Sequence, residues 1–145
     1  YAESLADELG LMPTPEDRFG RLAARRWRLA RVLVDLGVHS RLPVPDDVAA
    51  LPGASREWNR ATVTAVLRHH TVISEGRLRF EVSRHLGWPA QPLAYAVGER
   101  VWQAGRHSAQ AQARAEGGEL DLRAFHNRGI DLGSVGLDLL ASALH

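Results

Sequence analysis

Residues 16–37 read EDRFGRLAARRWRLARVLVDLG, and their spacing decides the fold class. Phe19, Leu22, Ala23, Trp27, Ala30, Leu33 and Val34 hold steps of three and four, the stripe of an amphipathic helix. Just ahead, Thr14-Pro15-Glu16-Asp17 is a helix start, with Thr as N-cap, Pro at the first helical position and acids in the first turn. Gly37 is expected to end this helix.

The same reading extends outward in both directions. Ala2, Leu5, Ala6 and Leu9 form one helical stripe that is already running at residue one, and Gly10 suits the left-handed position after it. No capping residue precedes the stripe, so the front of this helix is expected to be missing and the chain to be the C-terminal portion of something longer. Residues 39–57 are loop-rich, with one short turn of helix at 46–51. Ser55 is expected to cap a helix over 56–70 and Ser74 another over 75–86. Pro89 suits the first position of a long helix running to 115, Asp121 caps 122–128, and a last helix spans 137–144. No alternating strand pattern with hairpin chemistry occurs. The expected fold is all-α, an irregular bundle of about six helices forming a single segment over residues 1–145.

Composition sets the outer limits. The chain has 145 residues, 45% of them apolar and 24% charged, which is ordinary for a globular protein. No apolar run approaches the roughly 18 residues of a membrane span, so no membrane partner is expected. No signal-peptide pattern is visible, and the compartment stays open with the cytoplasm slightly preferred. There is no Cys, hence no disulfide or thiolate chemistry. All 18 basic residues are Arg, and the net charge of +1 predicts no general attraction to polyanions.

Four constellations bear on chemistry. The His residues at 39, 69, 70, 85, 107, 126 and 145 include no pair three or four apart, so no metal site is expected within this chain. Glu81 and His85 are at i, i+4, a spacing more typical of a surface ion pair. Ser134 lies in Gly-Ser-Val-Gly, whose glycine spacing and lack of a strand do not make a nucleophile elbow. Arg18, Arg21, Arg25, Arg28 and Arg31 form a basic helical face with Arg26 beside it; it suits phosphates, or else is a solvated face in a chain whose every cation is Arg, and nucleic acid is the less favoured partner. Lastly, in WPAQPLAYAVGERVW, Gln91, Tyr95 and Gly98 recur at four and three on one face near a helix N-terminus. A Tyr hydroxyl and a Gln amide there suit a carbonyl or an oxyanion. The plainer reading is a packed Tyr, with Gly98 letting another backbone approach closely.

YAESLADELG, EDRFGRLAARRWRLARVLVDLGVHS, EVSRHLGWPAQPLAYAVGE and ELDLRAFHN, in that order, resemble the C-terminal part of the bacterial family of domains of unknown function numbered 885. Only VPDDVAALPGASREWNRATV has no clear counterpart. The most specific phrase is W-P-x-Q-x-x-x-Y-x-x-G.

The resemblance implies a zinc metallopeptidase-like protein of the thermolysin-like superfamily, with two His and a Glu binding zinc and a peptide or amide as substrate. Upstream, family members carry H-E-x-x-x-G-H-H and then a helix reading E-G-W-x-L-Y-A-E. Tyr1-Ala2-Glu3 matches the last three positions of that helix. Glu3 is thereby placed two turns beyond the expected ligand Glu, as a group that orients a metal-bound His. By position, Arg84 and Gln91 are carried over as substrate-binding residues and Tyr95 as the catalytic donor to the scissile carbonyl, with Gly98 completing the pattern. Three positions depart: His85 replaces the usual Tyr, Ala90 the usual Gly and Pro92 the usual Ala. The expectation is zinc and hydrolysis in an intact family protein, and no activity from this chain alone. Expected partners are a peptide-like substrate, and a missing N-terminal half or a second copy. The alternatives are a stand-alone helical interaction module and an Arg-rich nucleic-acid-binding domain.

Overall fold

Local capping chemistry sets most helix boundaries in the computed structural model, which describes residues 1–144. Helix α1 (Ala2–Glu8) closes on Gly10 at φ +73°. Leu11 N–H donates to Ala6 C=O and Gly10 N–H to Asp7 C=O, the paired bonds of a left-handed C-terminal cap. Helix α2 (Pro15–His39) opens on Thr14, whose hydroxyl accepts from Asp17 N–H while the Asp17 carboxylate accepts from Thr14 N–H. After α3 (Asp46–Ala49) come α4 (Arg60–His70) and α5 (Glu75–Gly87), the latter capped by Ser74. A π-helical turn (Ala94–Gly98) precedes α6 (Glu99–Ala115), which is followed by α7 (Leu122–Ile130), capped by Asp121, and α8 (Leu137–Leu144).

The all-α expectation holds among the described residues, with eight α-helices where about six were expected. Four-residue α3 stands as a separate element because Val48 reaches the core and fixes that single turn. Three boundaries differ from the sequence reading. Helix α2 does not stop at Gly37 but continues to His39. Gly37 faces the Trp58 indole, whose ring occupies the space a β-carbon would take, so this glycine permits close packing rather than chain reversal. Helix α4 starts at Arg60, not at 56. Asn59 Oδ1 accepts from Ala61 and Thr62 N–H, whereas Ser55 bonds back to Thr62 and Glu57 within the loop. Pro89 does not begin a helix either: Ala90 turns left-handed at φ +67°, and the π-helical turn Ala94–Gly98 leads into α6 only after it.

The chain forms two compact units. One, Ala2–Ala96, is built on Ala30 and Val34 of α2, Val63, Val66 and Leu67 of α4, and Leu78 and Val82 of α5. The other comprises Tyr1 and the chain from Val97 onward. It is built on Phe125, Leu140 and Leu144, with Trp102 and Val101 against them. Its glycines at 105 and 129 receive Leu144 and the Trp102 ring respectively. Tyr1 stacks on Trp102 at 5.4 Å between ring centroids, and its hydroxyl lies 2.8 Å from His126 Nε2.

Two glycines of one helix are expected to answer oppositely to alanine. Gly37→Ala should cost about 1–3 kcal/mol, because Trp58 must move. Gly20→Ala, with open space around its β-carbon position, should gain up to ~1 kcal/mol from helix propensity. Urea unfolding of both variants measures the contrast.

Candidate functional site

Charged side chains lie buried between α2 and α5. The inward face of α5 carries Leu78, Glu81, Val82 and His85 at helical spacing, so a carboxylate and an imidazole share the apolar stripe. Glu81 is 0% exposed and His85 1%. Helix α2 supplies Arg31 and Asp35 from the flank of its core face, both also buried.

Three guanidiniums converge on Glu81. Arg77 Nη2 lies 2.8 Å from Oε1, Arg31 Nε 3.6 Å from Oε2 and Arg84 Nη1 3.8 Å from Oε1. Arg31 Nε–H donates to His85 Nε2 at 3.1 Å, and His85 Nε2 is 3.3 Å from Glu81 Oε2. Burial pushes the His85 pKa below its usual value, and the Arg31 charge pushes it the same way, while Glu81 opposes. His85 is therefore a neutral ring accepting at Nε2 and carrying its proton on Nδ1, which has no hydrogen-bond partner. Trp27 completes the layer, its ring under the guanidiniums of Arg31 and Arg77 at 5.6 and 5.5 Å.

Asp35 works on the loop after α5. Both of its carboxylate oxygens accept from Ala90 N–H at 3.0 Å, across 55 residues of sequence. This bond holds the left-handed Ala90 turn and so places Gln91. His39 Nε2 lies 2.8 Å from His85 C=O, at the end of the same helix pair.

The residues expected from the sequence fall along this network. Gln91 is not on a helix face with Tyr95, as its spacing suggested, because the helix has not begun; instead its Oε1 accepts from Arg84 Nη2. Tyr95 sits in the π-helical turn, 43% exposed, its ring facing the guanidiniums of Arg28 at 5.4 Å and Arg31 at 5.5 Å. Glu3 pairs with Arg28 at 2.6 Å. A continuous path thus runs from Glu3 through Arg28, Tyr95, Arg31, Glu81 and Arg84 to Gln91. Gly98 is not part of it: a β-carbon there would meet nothing within 4 Å, so the expected close backbone approach is absent at this position.

The basic stripe of α2 finds acidic partners within its own unit. Arg18 and Arg21 reach Asp7 at 3.6 and 2.9 Å, Arg28 reaches Glu3, and Arg31 is buried on Glu81. Arg26 Nε donates to His70 Nδ1. Spacing alone did not single out Arg31, Asp35, Glu81 or His85 as a cluster. The available signal was Arg31 lying four residues from Trp27 and one from Ala30, inside the apolar arc rather than opposite it. Among the described residues no group of three or more His, Cys, Asp or Glu is arranged to hold a metal, and His145 lies outside them. The donor set present does not fit a zinc site. Nor is any described helix long and apolar enough to cross a membrane.

The sequence model of a family described as "Bacterial protein of unknown function (DUF885)" matches residues 1–144. The chain belongs to the DUF885 family. Comparison with curated proteins gives no match. The DUF885 match also covers the central stretch around residues 44–63, for which the sequence reading had found no clear counterpart.

Two measurements probe this DUF885 site. Ala90→Gly should raise stability by about 1 kcal/mol, by relieving the left-handed alanine. Asp35→Ala should lower it by about 1–3 kcal/mol, leaving a backbone donor unmet; thermal melts report both. His85 sets the pH response. Its folded-state pKa is depressed, so the unfolded chain binds the proton more readily below about pH 6.5. Stability is full above that pH and is lost as pH falls from there through the folded-state pKa. Arg31, Arg84, Glu81 and Asp35 face this ring. His70 is shifted the same way, chiefly by burial. Denaturation between pH 7.5 and 5 should show this slope, reduced in His85→Gln and further reduced when His70→Gln is added.

Proposed function

We propose that this chain serves a peptidase-like hydrolase of the thermolysin-like kind and supplies the substrate side of its site. The observation that supports this reading is the convergence of Glu3, Arg84, Gln91 and Tyr95, the four positions carried over from the family pattern, on one connected network in the Ala2–Ala96 unit. DUF885 membership supports it further.

In this reading the Tyr95 hydroxyl donates a hydrogen bond to the substrate carbonyl oxygen as that oxygen gains negative charge. Such donors matter because they are strongest where charge develops in the transition state. Arg28 and Arg31 hold the ring by its face, which spares the cost of orienting it during reaction. Arg84 and Gln91, already bonded to each other, bind the substrate away from the reacting bond. Glu3 restrains Arg28. Zinc, the cofactor this kinship implies, has no ligand set among the described residues. Its ligands would lie elsewhere in the gene product.

A second reading, a helical interaction module, draws on Phe19, Leu22 and Leu29, which stand exposed on α2. A concentration-dependent mass in sedimentation, together with no hydrolysis, would favour it.

The natural gene product, loaded with zinc and given a peptide mixture, tests the first reading. Tyr95→Phe should lower kcat about 100-fold with KM within a few-fold, as for loss of one oxyanion donor. Arg84→Gln should act mainly on KM. Absence of peptide or amide hydrolysis, or an unchanged kcat in Tyr95→Phe, would refute it.

A further inference from the structure

Helix α5 presents a second face beside its buried one. Phe80, Ser83, Arg84 and Gly87 recur at helical spacing and, with Trp88, line an open groove of about 320 Å³. Phe80 and Trp88 are both more than half exposed. Gly87 leaves the wall low, with nothing within 4 Å of where a β-carbon would stand. The groove is therefore aromatic on two sides and carries one cation.

That cation is only partly balanced by its surroundings. Arg31, Arg77 and Arg84 share the single Glu81 carboxylate, and the neighbouring ring of His85 is neutral. The other buried carboxylate of this region, Asp35, is engaged by Ala90 N–H. Three guanidiniums against these two carboxylates leave a positive excess beside the groove. Arg84 is the member of the trio that lines the groove. Its guanidinium is pre-set by Gln91 Oε1 and by the Trp88 ring, 5.9 Å from the centroid. A planar guanidinium held in this way matches a carboxylate better than a point charge would.

We propose that this groove binds an organic carboxylate carrying an apolar body, namely the free C-terminal carboxylate of a peptide that ends in a bulky apolar residue. The carboxylate meets Arg84, and the terminal side chain lies between Phe80 and Trp88. A phosphate fits less well, since one guanidinium faces the groove and the remaining walls are largely apolar. This assignment rests on the peptidase-like reading for the peptide as the source of the carboxylate. It implies that Arg84 selects chain ends.

Calorimetric titration of the full chain with N-acetyl-Ala-Phe, as free acid and as C-terminal amide, tests the assignment without any turnover. The acid should bind at least tenfold more tightly than the amide. Arg84→Gln should erase that preference. Ser83→Trp, a change at an exposed position outside the buried cluster, should fill the groove and abolish binding of both. Equal affinity for acid and amide, no binding of the acid, or a preference that survives Arg84→Gln would each overturn the proposal. So would 3-phenylpropionate binding as tightly as the dipeptide acid, since the ligand would then be a small aromatic acid and not a chain end. Acid-selective binding in a gene product that hydrolyses nothing would remove the peptidase reading and keep this one. Hydrolysis with equal affinity for acid and amide would do the reverse.

Discussion

Glu81, a carboxylate with no exposure to solvent, sets the conditions that the rest of the site obeys. A lone carboxylate in that position would have to take up a proton or swing outward. Here α2 brings Arg31 to it while α5 brings Arg77 and Arg84 from its own adjacent turns. Two of these side chains reach outward again. Arg31 faces the Tyr95 ring and Arg84 holds Gln91. The charge buried in the helix interface is thus the physical reason that residues distant in sequence stand in fixed relation to one another.

Much of the architecture was legible because it is local. Thr14 with Asp17, Gly10, Ser74 and Asp121 each meet backbone groups within a few residues, and such signals survive in a bare string. The misread boundaries depend on distant partners. Gly37 looks like a terminator until Trp58 is known to lie on it. Pro89 looks like a helix start until the Ala90 amide is seen engaged by Asp35. Glu81 and His85 looked like a surface pair, since the i, i+4 spacing carries no sign of whether a second helix covers it. Arg31 is what decides that, and it lies 54 residues from His85.

The candidate site was legible in a different way. Glu3, Arg84, Gln91 and Tyr95 came from likeness to a family and not from periodicity. The residues that connect them, Arg28 and Arg31, belong in the sequence to a basic helical face that suits phosphates or is merely solvated. In an all-Arg chain, a guanidinium that structures the interior and one that merely solvates look alike on the page. All four positions lie within Ala2–Ala96. The unit from Val97 onward is organised around Phe125 and two glycine notches, with its own packing logic and none of these four side chains.

The Asp35 clamp grips an amide and ignores the side chain above it. Glycine, and at some cost alanine, asparagine or aspartate, can therefore occupy position 90 and be drawn into the same left-handed turn. Alanine and glycine codons differ by a single base, so the strained and relaxed forms of this turn are adjacent in mutational space. The shape of the loop is in effect written at position 35, where a change would be felt far from its own location, while the residue that displays the shape need only tolerate a left-handed backbone.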